Sequence, residues 1–135
     1  MKRRSIRKII LIYYIFLSTA HLPGCGFIKP ENLKMISANS LHTVMSENDI
    51  LLFDVHIPEQ KHIEGTDQFA PFYKVDTYLE HLPTDKNAPI YLYCKSGPMA
   101  NWAARTLFDM GYTNIYNLEG GMDAWIELNL PVNDQ

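Results

Sequence analysis

Cysteine is almost absent from this 135-residue chain: there are two, Cys25 and Cys94. Two cysteines cannot build the multi-bridge framework of a small secreted scaffold, and if Cys25 is modified, no intramolecular disulfide forms and the one remaining free thiol cannot make a structural zinc site. The histidines His21, His42, His62 and His81 are scattered without ligand spacing, so neither a metal nor another cofactor is expected. No glycine-rich phosphate loop is present, and neither is any internal repeat or low-complexity segment. Positive charge is scarce past the first eight residues. Five of the 12 basic residues (Lys2, Arg3, Arg4, Arg7, Lys8) lie there, whereas all 15 acidic residues fall at Glu31 or later. Beyond Cys25 the chain carries seven basic against 15 acidic residues, which argues against a nucleic-acid partner.

What is present begins with a leader. The basic start is followed by one apolar run, Ile9 to Leu17, and then Ser18-Thr19-Ala20. This is the pattern of a secretory signal, short for a comfortable membrane span, with a transmembrane anchor as the minority reading. Its end reads in two ways. Leu22-Pro23-Gly24-Cys25 resembles the lipobox of bacterial lipoproteins, in which the cysteine becomes the acylated first residue, although Pro23 is an unusual occupant. Ser18 and Ala20 alternatively provide a small-residue pair for ordinary cleavage before His21. The lipoprotein reading is preferred. It divides the chain into a signal at 1–25, a linker at 26–34 and a domain at 35–135, and it places the product outside the cytoplasm, in the periplasm or cell envelope, held by a lipid on Cys25. Cys94 would then be the only free thiol of the mature protein.

With 47% hydrophobic residues the chain can support one core. Ile50-Leu51-Leu52-Phe53, ending in Asp54, reads as a strand buried on both faces, as does Ile90 to Tyr93. Asn114 to Leu118 reads as a third strand. Ser40 to Met45 has short helical spacing, and Val75, Tyr78, Leu79 and Leu82 share a helical period that Pro83 stops. His56 to Phe69 reads mainly as loop. Met99, Trp102, Ala103, Thr106, Leu107 and Met110 form a stripe at intervals of three and four, read as core with Trp102 structural, and Gly111 serves as C-cap. Met122 to Leu128 reads as a closing helix started around Gly120-Gly121. Strands alternating with helices predict an α/β domain whose central parallel sheet is flanked by helices. Ligands of such sheets bind beyond the strand carboxyl ends, where Asp54 and Cys94 fall.

Tyr93-Cys94-Lys95-Ser96-Gly97-Pro98-Met99-Ala100 is the stretch richest in chemistry. A cysteine ends a strand, passes through a tight Ser-Gly loop, and precedes a helix opened by Pro98. Loop amides turned inward and the positive end of the helix would both favour thiolate over thiol, which makes Cys94 the candidate nucleophile. A buried packing cysteine is the structural alternative.

These residues resemble the single-domain rhodanese-like sulfurtransferases over about Ile36 to Val132. Leu52-Phe53-Asp54-Val55 with Pro58-Glu59 looks like that family's first motif, Tyr93 to Gly97 like its active-site loop, and Gly111-Tyr112 followed by Leu118-Glu119-Gly120-Gly121-Met122-Asp123-Ala124-Trp125 like its closing motif. The resemblance implies that Cys94 takes a sulfane sulfur from a small donor such as thiosulfate or a persulfide, carries it as a persulfide cradled by residues 95–100, and gives it to a thiol acceptor. Two positions depart from the pattern. Met99 stands where the family's loop has arginine, and His56 where an arginine follows the Asp-Val pair. Lys95 is a candidate replacement for the lost charge, His56 for the lost buried polar group, and Asp54 for a residue that orders the loop through hydrogen bonds. A phosphatase of related fold needs an arginine six residues past the nucleophile, where this chain has Ala100. A non-catalytic binding module and a mixed-disulfide redox protein stay open.

Overall fold

A computed structural model describes residues 27–133. The segment read as a signal, with Cys25, lies outside the described residues. Among the described residues no helix is long and apolar enough to cross a membrane.

Five strands form the central sheet: β1 (Lys34–Ile36), β2 (Leu51–Asp54), β4 (Gln68–Phe69), β5 (Ile90–Tyr93) and β6 (Ile115–Leu118). Their spatial order is β1-β6-β5-β2-β4, with every pair parallel. Alternation along the strands divides the apolar residues between the two faces. Leu52, Tyr91 and Tyr93 face α1 (Ala38–Glu47) and α3 (Gly121–Glu127), where they pack with Leu41, Leu118 and Trp125. Phe53, Leu92 and Cys94 face α2 (Pro98–Asp109), where they pack with Ala100, Ala103, Ala104 and Leu107. Helices thus cover both faces; β5 is wholly buried and β2 is buried from Leu52 onward, as their continuous apolar runs require. A short antiparallel pair, β3 (His62–Ile63) with β7 (Val132–Asn133), closes the far end of the chain onto the domain.

Several elements differ from the sequence expectation. Residues 75–82 form two 3₁₀ turns, Val75–Thr77 and Leu79–His81, in place of an α-helix. Pro71 and Pro83 bracket a stretch too short for a cooperative helix, and Leu79 is 64% exposed. The segment 56–69 contains β3 and β4, the latter extending the sheet edge beside β2. In α2 the buried face consists of Ala100, Ala103, Ala104 and Leu107, three of them alanines, packed against Phe53, Leu92 and Cys94. Trp102 is thereby turned outward, 37% exposed, onto Phe27 and Phe72. Gly111 does end α2 as expected: at φ +93 it donates its N–H to Phe108 O, while Tyr112 N–H reaches Leu107 O. Residues 27–34 pack on the domain, with Leu33 buried and Phe27 and Ile28 bonded through their carbonyls to α2.

Candidate functional site

β5 and β2 end side by side, in register at Asp54 and Tyr93, and the Val55 N–H donates to Tyr93 O at 2.9 Å. Cys94 follows at once, 1% exposed. The chain then turns through Lys95 and Ser96 to Gly97, whose φ of +119 only glycine adopts without strain, and enters α2 at Pro98. This turn brings the Gly97 N–H back to Cys94 Sγ at 3.0 Å.

Three carbonyls of the loop, those of Cys94, Lys95 and Gly97, have partners elsewhere. Met122 N–H donates to Cys94 O at 2.9 Å and Asp123 N–H to Lys95 O at 3.0 Å, so the first turn of α3 uses its unpaired amides to hold the loop. Gly97 O accepts from Asn117 Nδ2 at 3.1 Å and from Asn101 N–H. Asn117 is fully buried on β6 and also donates to Asn101 Oδ1 at 2.9 Å. It clamps the loop to the start of α2.

Beside the sulfur lies a cavity of about 350 Å³ lined by Phe27, His56, Cys94, Lys95, Ser96, Pro98 and Met99. The structure therefore brings most of the sequence-selected loop together around one opening. Ala100 instead enters the core, and Gly97 supports the sulfur from beneath. Lys95 Nζ is ion-paired with Asp123 Oδ1, so its charge is engaged by a carboxylate. His56 lies in the cavity wall with its Nδ1 buried and, among the described residues, unpartnered. Met99, also in the wall, stands at the other position where the family pattern expects a cation, and it is neutral.

Asp54 is fully buried and orders a different segment from the cysteine loop. It accepts from His56 N–H at 2.9 Å, from Gln60 Nε2, and from His62 Nδ1 at 2.9 Å, while His62 Nε2 meets Glu59 Oε1 at 3.0 Å. Burial raises the Asp54 carboxyl above its ordinary value, outweighing these hydrogen bonds. Tyr93, also buried, is pushed upward by the same cause, and its hydroxyl accepts from Ile63 N–H and bonds Thr66. Asp54 and Tyr93 together pin residues 56–66, and so hold His56 against the cavity.

As contributors to the site, Asn117, Phe27 and His62 escape the sequence reading, which places them in a strand, a linker and a scatter of histidines. Asn117 had a signal: an amide in the otherwise apolar strand Ile115-Tyr116-Asn117-Leu118, at a buried position, implies a specific partner.

An α/β domain with a cysteine cradled between strand and helix is the class that this geometry defines. The rhodanese-like domain family matches residues 37–128, and the chain belongs to it. A sulfurtransferase of Allochromatium vinosum is 30% identical over 101 residues, which cover 72% of this chain and 92% of that protein. The adenylyltransferase and sulfurtransferase UBA4 of Meyerozyma guilliermondii is 26% identical over 122 residues, 79% of this chain, but the match spans only 28% of that longer protein. Among solved structures, the 30 kDa polysulfide-sulfur transferase homodimer of Wolinella succinogenes superposes with a TM-score of 0.60 at 30% identity, covering 77% of this chain and 80% of that one.

Proposed function

We propose that this protein is a sulfurtransferase that carries sulfane sulfur as a persulfide on Cys94. In the first half-reaction the Cys94 thiolate attacks the sulfane sulfur of thiosulfate or of a persulfide. An S–S bond forms at Sγ, and the bond within the donor breaks, its electron pair leaving on sulfite or on the donor's thiolate. In the second half-reaction an acceptor thiolate attacks the terminal sulfur and expels the Cys94 thiolate. No net redox change occurs and no cofactor is needed.

The observation that carries this reading is the Gly97 N–H directed at Cys94 Sγ across 3.0 Å, at the wall of an open cavity. A donor preorganised on the sulfur stabilises negative charge there, which both a thiolate and a persulfide require. The sulfurtransferase names of the relatives support the same class. A second reading, a binding module without turnover, draws on Met99 and on the Lys95–Asp123 ion pair, which together leave no unengaged lysine or arginine on the cavity wall among the described residues.

Mass spectrometry of the purified protein after exposure to thiosulfate, and separately to a persulfide donor, tests the choice. One added sulfur on Cys94, lost on adding a thiol acceptor and absent from Cys94→Ser, is the expected result. Unmodified Cys94 after every donor would overturn the enzyme reading in favour of the binding module. The proposal extends to place: the leader and Cys25 support an extracytoplasmic, lipid-anchored protein.

A further inference from the structure

Phe27 belongs at once to the cavity beside Cys94 and to an exposed aromatic patch. Its ring lies 5.7 Å from that of Phe72 and 5.4 Å from that of Trp102, while Phe72 meets Trp102 at 5.8 Å and Tyr73 at 5.3 Å. Of the eight large apolar side chains exposed among the described residues, Phe27, Tyr73 and Trp102 adjoin through Phe72 in this one patch, at 38%, 51% and 37% exposure, and Ile28, 60% exposed, follows Phe27 in the chain. The patch is fastened to α2 through Asn101 Nδ2 to Phe27 O at 2.9 Å and Arg105 Nη2 to Ile28 O at 3.2 Å. Lys74 Nζ lies 5.6 Å over the Tyr73 ring. Contiguous exposed apolar surface marks an interaction site, and tyrosine and tryptophan with nearby cations match the chemistry of a membrane–water interface.

The chain outside the described residues identifies the occupant. Cys25 is two residues before Phe27, so covalent geometry keeps it within about 7 Å of that residue. A lipid on Cys25 would therefore enter the bilayer at the edge of this patch and not from a remote tether. We infer that the Phe27–Phe72–Tyr73–Trp102 face docks on the phospholipid bilayer, with the mouth of the Cys94 cavity turned toward the membrane surface. Sulfur then enters and leaves at that surface. The inference rests on the reading of Cys25 as the acylated residue.

The test uses full-length protein purified from membranes of an expressing bacterium and reconstituted into phosphatidylcholine vesicles, with or without brominated acyl chains. Tryptophan emission is read on the floated vesicles. The chain has two tryptophans, of which Trp125 is 1% exposed on the opposite face of the sheet. The parent should lose emission to the brominated lipid, and Trp102→Phe, which retains only Trp125, should not. Protein that floats but shows no quenching, or equal quenching in parent and variant, overturns the docking while leaving the anchor intact. Dimers in sedimentation with an unquenched Trp102 would assign the face to a second copy and overturn it equally. Protein that does not float removes both the anchor and the docking. None of these outcomes bears on the Cys94 persulfide, which is read separately by mass.

Discussion

Gly121 lies so close beneath Cys94 that a β-carbon on it would come within 2.4 Å of the Cys94 carbonyl oxygen. The same atom would meet Lys95 backbone at 2.7 Å, and Gly121 has a φ of +58. The Cys94 loop and the start of α3 are therefore in direct backbone contact, closed by the Met122 and Asp123 amides. Gly121→Ala should lower unfolding stability by at least about 1–3 kcal/mol, the usual cost of overpacking. It should also reduce persulfide formation in the protein that remains folded. A urea melt together with the mass assay separates the two effects, and a parent-like melt would show that the loop yields easily.

Asn117 reaches the same loop from the opposite side, through Gly97 O. Asn117→Ala leaves that buried carbonyl and Asn101 Oδ1 with one donor fewer, a loss of about 1–3 kcal/mol. If the clamp also positions the Gly97 amide, the rate of sulfur uptake should fall more than that of a surface variant with the same melting temperature. Single-turnover uptake measured against such a control provides the check.

Asp54 predicts a pH dependence. Its folded carboxyl titrates above the ordinary 3.8, so between those two values the folded protein binds the proton that the unfolded chain does not. As pH falls from the raised value toward 3.8, this group adds stability, and as pH rises the contribution is lost. Asp54→Asn has no such term. The stability difference between parent and variant, followed by urea melts from neutral pH down to about 4, should shift in the parent's favour as the pH drops.

The cavity holds Met99 where a guanidinium would serve an anionic donor, and Lys95 is engaged by Asp123. Met99→Arg should raise kcat/KM for thiosulfate by about one to two decades, equivalent to the roughly 1.5–3 kcal/mol of a charge-assisted hydrogen bond. Lys95→Ala should change that rate little by comparison. Steady-state kinetics with thiosulfate measures both, and a large loss in Lys95→Ala would return the role to the lysine.

Cys25→Ala should release the protein from the membrane fraction or block its processing, as fractionation and the intact mass would show. A variant that fractionates and matures like the parent would favour cleavage near Ala20.

Contiguous patterns were legible in the order of residues alone. The apolar runs ending at Phe53 and Tyr93, the Ser-Gly-Pro entry to α2 and the glycine after it each act within a turn or strand. Backbone propensity and burial periodicity therefore reveal them, and with them the parallel α/β plan and the position of Cys94 at a strand end. The outward turn of Trp102 was not legible, because it depends on which face of α2 packs on the sheet, the one through Ala100, Ala103, Ala104 and Leu107, and not on the spacing of the stripe. The environment of the sulfur depends on still longer reach. Asn117 and Gly121 meet the loop from other elements, Lys95 finds its counter-charge in Asp123, and Phe27 closes a cavity 67 positions away from Cys94 in the sequence. Such contacts form when the sheet brings separate strand ends to one edge, and only the folded chain specifies which side chains then lie within bonding distance.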